Sequence, residues 1–154
     1  MKDLSWFSSV EVALAQRALL APAILRTALG SVFLGHAYAK AAVLTLPGTV
    51  QFFEGHGFPG WTAYPVFGIE LIGGLLLLLG VQVRLVAALL VPVMLGALVP
   101  HLSNGWMFTN AGGGWEYVAF LLAALSAQLL LGPGAWSVAE PSATSRPAGV
   151  ANAE

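Results

Sequence analysis

Seven side chains carry nearly all the chemistry that this sequence could perform. Arg26 and Glu70 lie inside long apolar runs, whereas His36, Lys40, His101 and Glu116 sit where such runs begin or end, and His56 lies in a loop between them. An arginine and a glutamate that share an apolar environment can neutralise one another, contact a cofactor ring or carry a proton, because an unpaired charge there is costly. Histidine, lysine and glutamate together can hold an anion, hydrogen-bond a carbonyl or relay a proton near neutral pH. Cysteine is absent. Thiol relays, disulfides, iron–sulfur clusters, c-type haem and thiolate zinc sites are therefore excluded, leaving histidine, carboxylate or organic-cofactor chemistry.

The elements that position these groups are read from composition. Of 154 residues, 58% are apolar and 8% charged, and the mean hydropathy is +0.82. So few charges cannot coat a soluble domain of this length. The chain belongs in a lipid bilayer. A net charge of −1 with six Lys and Arg leaves no basic stripe for phosphates, so nucleic acid is not an expected partner.

Apolar runs long enough to cross ~30 Å of hydrocarbon occupy residues 18–38, 62–82, 85–102 and 116–132. The expected fold is all-α, a polytopic membrane protein with a bundle of four transmembrane helices. Leucine and isoleucine between Ile69 and Leu79 offset the insertion cost of Glu70, and Pro92 is expected to kink rather than end the third span. Lys2, Arg17, Arg84 and Arg146 lie on one side of the four spans and Lys40 on the other, which places both termini in the cytoplasm. Residues 1–17 form a cytoplasmic or interfacial segment, 18–136 the membrane domain and 137–154 a disordered tail rich in Pro, Ala and Ser. Ala37-Tyr38-Ala39 resembles a small-residue cleavage site, but Arg26 interrupts the preceding apolar run, so cleavage is not expected. The long connection 41–61 is too broken by Gly and Pro to span, although Val50–Phe53 suits a short interfacial or re-entrant piece.

On the first span Arg26, Phe33 and Lys40 recur every seven residues, with Leu29 and His36 between them, so one seam carries the polar groups. If each span starts at its apolar boundary, Arg26 and Glu70 both lie ~12 Å deep from opposite sides, and their heights differ by ~6 Å. A buried Arg26–Glu70 ion pair is expected, with Gly73 and Gly74 clearing that face for close helix approach. His36, Lys40, His101 and Glu116 are expected to converge where the first and third spans finish and the second and fourth begin. Such a cluster could bind a quinone ring or a small oxyanion, with Trp61, Trp106 and Trp115 walling the site, or simply mark solvated helix ends. His36, His101, Glu116 and His56 are suitable ligand types, but no HxxxH or ExxH spacing links them, so no metal is assigned.

The strings Arg26-Thr-Ala-Leu-Gly30, Phe33-Leu-Gly-His36 with Lys40, Gly68-Ile-Glu70-Leu-Ile-Gly-Gly74, Arg84-Leu, His101 with Asn104-Gly105-Trp106, and Gly113-Gly114-Trp115-Glu116-Tyr117 together resemble the DoxX family of four-helix membrane proteins. The resemblance runs over residues 22–134. It implies a multi-pass protein of the bacterial inner membrane linked to respiratory or sulfur redox systems, quinone- or thiosulfate-linked, with the polar positions Arg26, His36, Lys40, Glu70, Arg84, His101 and Glu116 characteristic rather than demonstrated catalysts. Quinone is the cofactor this points to. Beyond the lipid bilayer, a redox partner subunit or a second copy of the chain are the partners in view. A scaffold, assembly factor or small-solute permease without catalytic activity is the alternative.

Overall fold

The computed structural model describes residues 5–138, all helix, turn and loop with no strand among them. Five α-helices follow in order: α1 (Ser5–Tyr38), α2 (Leu46–Gly55), α3 (Ala63–Leu79), α4 (Val83–Leu98) and α5 (Glu116–Leu131). Three helical segments, Leu14–Val43, Gly60–Leu79 and Val83–Asn104, are long and apolar enough to cross a membrane, and Glu116–Leu131 is a shorter apolar helix beside them. The chain is thus a multi-pass membrane protein.

The four long helices close into a ring in which α1 packs on α3, α3 on α4, α4 on α5 and α5 back on α1. Leu29 and Phe33 of α1, Leu77 of α3, Val86 and Leu90 of α4 and Leu121 and Leu125 of α5 fill the centre. Lipid tails are as apolar as leucine, so apolar contact alone does not choose the register of two such helices; close backbone approach does. Gly30 and Gly74 set it for α1 and α3. A Cβ on Gly30 would meet the Gly74 carbonyl oxygen at 2.8 Å, and one on Gly74 would meet Leu34 Cγ at 2.9 Å.

Each helix boundary has a local cause. Gly80, left-handed at φ 72°, ends α3 and donates its N–H to the Leu77 carbonyl, the conformation that favours glycine after a helix. Pro92 lies within α4, which continues to Leu98 and then tightens into a 3₁₀ turn over Val99–Asn104. At the other end of the first span, α1 widens into a π turn over Ala39–Val43, closed by Leu44 N–H on the Ala39 carbonyl at 2.9 Å. Thr45 then caps α2, its Oγ1 accepting from Gly48 N–H, with Pro47 in the first turn where no N–H is needed. The connection 41–61 therefore holds a ten-residue helix, longer than the expected Val50–Phe53 piece, and it packs on α3. α1 begins at Ser5, so the segment before the first apolar span, which starts at Leu14, is helical and continuous with it. The expected tail from residue 139 onward lies outside the described residues.

Candidate functional site

Glu70 sits on the buried face of α3, only 5% exposed, and needs a cation. Its partner is Lys40: Nζ donates to Glu70 Oε2 at 2.6 Å. The expected Arg26–Glu70 pair does not form. With Gly30 opposite Gly74, Glu70 faces the level of about residue 34, and Arg26 lies eight residues from there, ~12 Å along the axis. Lys40 lies ~9 Å beyond that level on the other side, but helical side chains lean toward the N-terminus, which carries a long lysine back down to Glu70. The depth estimate erred because it counted both spans from apolar boundaries, whereas the glycine contact sets their relative height.

Arg26 instead ties together the opposite end of the bundle. It is 2% exposed and donates five hydrogen bonds to backbone carbonyls: Nη1 to Leu77 (2.9 Å) and Leu78 (2.6 Å), Nε to Pro133 (2.8 Å), and Nη2 to Ala135 (2.9 Å) and Trp136 (3.0 Å). A cation at the C-terminus of α3 satisfies carbonyls left over by the helix and opposes the negative end of its dipole. The segment after α5 is thereby held beneath α1 and α3, helped by Ala135 N–H on Leu19 O and Val138 N–H on Leu79 O.

Around Lys40 and Glu70 the helices leave a cavity of about 390 Å³. His36 and Lys40 enter it from the end of α1, Glu70 and Val66 from α3, Pro92, Met94, Gly96 and Ala97 from α4, His101 from the 3₁₀ turn, and Tyr117, Val118 and Leu121 from α5. The helix α2 and the loop after it supply Thr49, Phe52, Phe53, His56 and Phe58. Three of the four residues expected to cluster, His36, Lys40 and His101, thus surround one space, with Glu70 as a fourth polar group. Glu116 does not line it. Its Oε1 accepts the Phe108 N–H at 2.8 Å, anchoring the loop between α4 and α5.

The aromatic wall also differs from expectation. Trp61 is 69% exposed, and Trp106 packs edge-on against Trp115 at 4.4 Å; none of the three lines the cavity. Phe52, Phe53, Phe58 and Tyr117 do. The Phe52-Phe53 pair in an otherwise Gly- and Pro-rich connection is the one sequence signal for that wall. The loop carrying Trp106 and Trp115 is instead tightly folded: a Cβ on Gly114 would collide with the carbonyls of Gly105, Trp106 and Met107.

Backbone contacts orient two of the histidines. His101 Nδ1 lies 2.9 Å from the Gly113 carbonyl, which Asn104 Nδ2 also approaches at 3.0 Å, and His56 Nδ1 lies 2.7 Å from the Phe52 carbonyl. His36 rests against Tyr117, ring centroids 6.3 Å apart. Lys40 and Glu70 offset one another's charge within the cavity lining. Among the described residues no three His, Asp or Glu side chains are placed to hold a metal ion. The cavity lining is mostly apolar, with an aromatic wall and a few polar groups.

A family model described as DoxX matches residues 21–103, more than half of the chain. Over 76 residues the chain is 37% identical to a protein of Bacillus subtilis (strain 168) named "Putative oxidoreductase CatD", a match covering 49% of this chain and 55% of that one. The chain thus spans little more than half the length of that relative. No solved structure matches.

Proposed function

The chain belongs to the DoxX family, and from that premise we propose that it is the quinone-binding membrane subunit of a respiratory or sulfur redox system in a bacterial inner membrane. The observation that carries this reading is the cavity itself: an aromatic-walled space bordered by a neutralised Lys40–Glu70 pair and by His36 and His101. Its volume falls in the range of about 300–1,000 Å³ typical of small-molecule sites. A quinone headgroup is apolar on both faces and polar at its oxygens, which matches this distribution. The relative's name, an oxidoreductase, supports redox chemistry in general. With no cysteine in the chain, electrons reach such a ring from a partner subunit or a bound organic cofactor.

The test is binding by the full chain in lipid nanodiscs, titrated with a short-chain quinone and, separately, thiosulfate, and followed by tryptophan fluorescence. Gly96 lines the cavity and a Cβ there meets no atom within 4 Å, so Gly96→Phe should fill the space without disturbing the bundle. Saturable quinone binding lost in Gly96→Phe is the expected result. Absence of saturable binding of a short-chain quinone in either redox form to folded wild type would overturn the reading in favour of a scaffold or permease.

A further inference from the structure

The hydrogen-bonding roles around the cavity are unequal, and they discriminate between the two redox forms of a ring. A carbonyl oxygen has no proton to give, so the 2.9 Å contact between His101 Nδ1 and Gly113 O requires Nδ1 to donate. Asn104 Nδ2 occupies the second lone pair of the same oxygen. The neutral imidazole then carries its single proton on Nδ1, and Nε2 is an acceptor. Nε2 has no hydrogen-bond partner among the described residues, and it is not among the fully buried orphan atoms, where Gln128 Oε1 stands alone. It is open to a ligand.

The same holds for two more groups. His56 Nδ1 donates to Phe52 O at 2.7 Å, leaving Nε2 as the acceptor of a residue that lines the cavity. Glu70 gives Oε2 to Lys40 and keeps Oε1 unbonded yet not sealed off. Against these three acceptors stands Lys40 as donor, and His36, which makes no hydrogen bond among the described residues, can take either role. A quinone, whose oxygens only accept, can satisfy Lys40 but faces the lone pair of His101. A hydroquinone both accepts from Lys40 and donates to His101. We propose that the cavity selects the reduced, hydroxyl-bearing form of its ring, with His101 Nε2 as the acceptor that recognises the O–H. This rests on the reading of the cavity as a quinone site and adds which redox form it prefers.

The experiment is an anaerobic titration of the full chain in nanodiscs at pH 8, where an ordinary imidazole is neutral, with a short-chain quinone, its hydroquinone and the dimethyl ether of that hydroquinone. The ether keeps the ring and oxygens but has no O–H to donate. The hydroquinone should bind at least about tenfold more tightly than either other ligand, equivalent by linkage to raising the midpoint potential of the bound two-electron couple by about 30 mV. His101→Phe should bring the three affinities together. Should that variant not fold, ¹⁵N-histidine NMR of the wild type reads the same point, since His101 should show a protonated Nδ1 and a bare Nε2 that shifts with hydroquinone and not with ether. Equal affinity for quinone and hydroquinone, or a proton on Nε2, would overturn the preference while leaving quinone binding intact. Failure of all three ligands to bind would overturn both readings.

Discussion

The pairing of Glu70 with Lys40 rather than Arg26 yields a sharp energetic contrast. Lys40 and Glu70 touch at 2.6 Å with side chains only 15% and 6% exposed. Replacing Lys40 by Met strands a buried carboxylate, and replacing Glu70 by Leu strands a buried ammonium. Each single change should destabilise the bundle by about 3 kcal/mol, the lower end for breaking a buried pair because the cavity admits some hydration. The double variant strands nothing and should be no worse than either single, giving an interaction term of about 3 kcal/mol. Arg26→Met should itself be costly, because carbonyls at the far end of α3 lose a charged donor. Combined with Glu70→Leu, however, its effect should add to within about 0.5 kcal/mol, since ~12 Å of helix separates the two sites. The assay is reversible unfolding of the three single and two double variants in mixed detergent micelles. Additivity for positions 40 and 70 together with coupling for 26 and 70 would refute the glycine-set register and restore the pairing expected from apolar boundaries.

Other consequences follow from the same contacts. Gly74→Val should weaken the α1–α3 contact by about 1–3 kcal/mol, as overpacking does, seen as a lower midpoint of thermal unfolding, whereas the equivalent change at Gly35, where a Cβ meets nothing within 4 Å, should be nearly silent. Arg26→Met should speed hydrogen exchange at Ala135 and Val138, whose N–H groups bond Leu19 and Leu79, while leaving amides in the middle of α4 protected. Reporter fusions at the C-terminus and within residues 46–55 should fall on opposite sides of the membrane, with the C-terminus cytoplasmic if the lysine and arginine asymmetry orients the chain; both reporters on one side would contradict four crossings.

Much of this molecule could be read from its residues in order. Membrane residence and the number of long apolar helices rest on composition and run length, which are properties of contiguous sequence. The seven-residue seam from Arg26 to Lys40 was visible for the same reason, since helical periodicity alone puts those positions on one stripe. Gly73 and Gly74 announced a close approach beside Glu70, and Gly74 makes it against Gly30.

The identity of each polar partner was not readable in this way. Arg26 finds five carbonyls, Glu70 finds Lys40, and Glu116 finds the Phe108 amide. Backbone groups are present at every residue and so leave no mark in a sequence, and a carboxylate accepts any cation that reaches it. Which cation arrives depends on the relative height of α1 and α3, and that height follows from where two glycines meet, a long-range choice between many sterically similar registers. The cavity is decided at the same level. His36, Glu70, Pro92 and His101 are contributed by four separate segments, and the aromatic wall by α2, the loop after it and α5. Sequence therefore determined which groups would have to be buried in an apolar phase, and tertiary packing alone decided which of them would meet, because burial is a property of one residue's surroundings whereas pairing depends on the register of two helices.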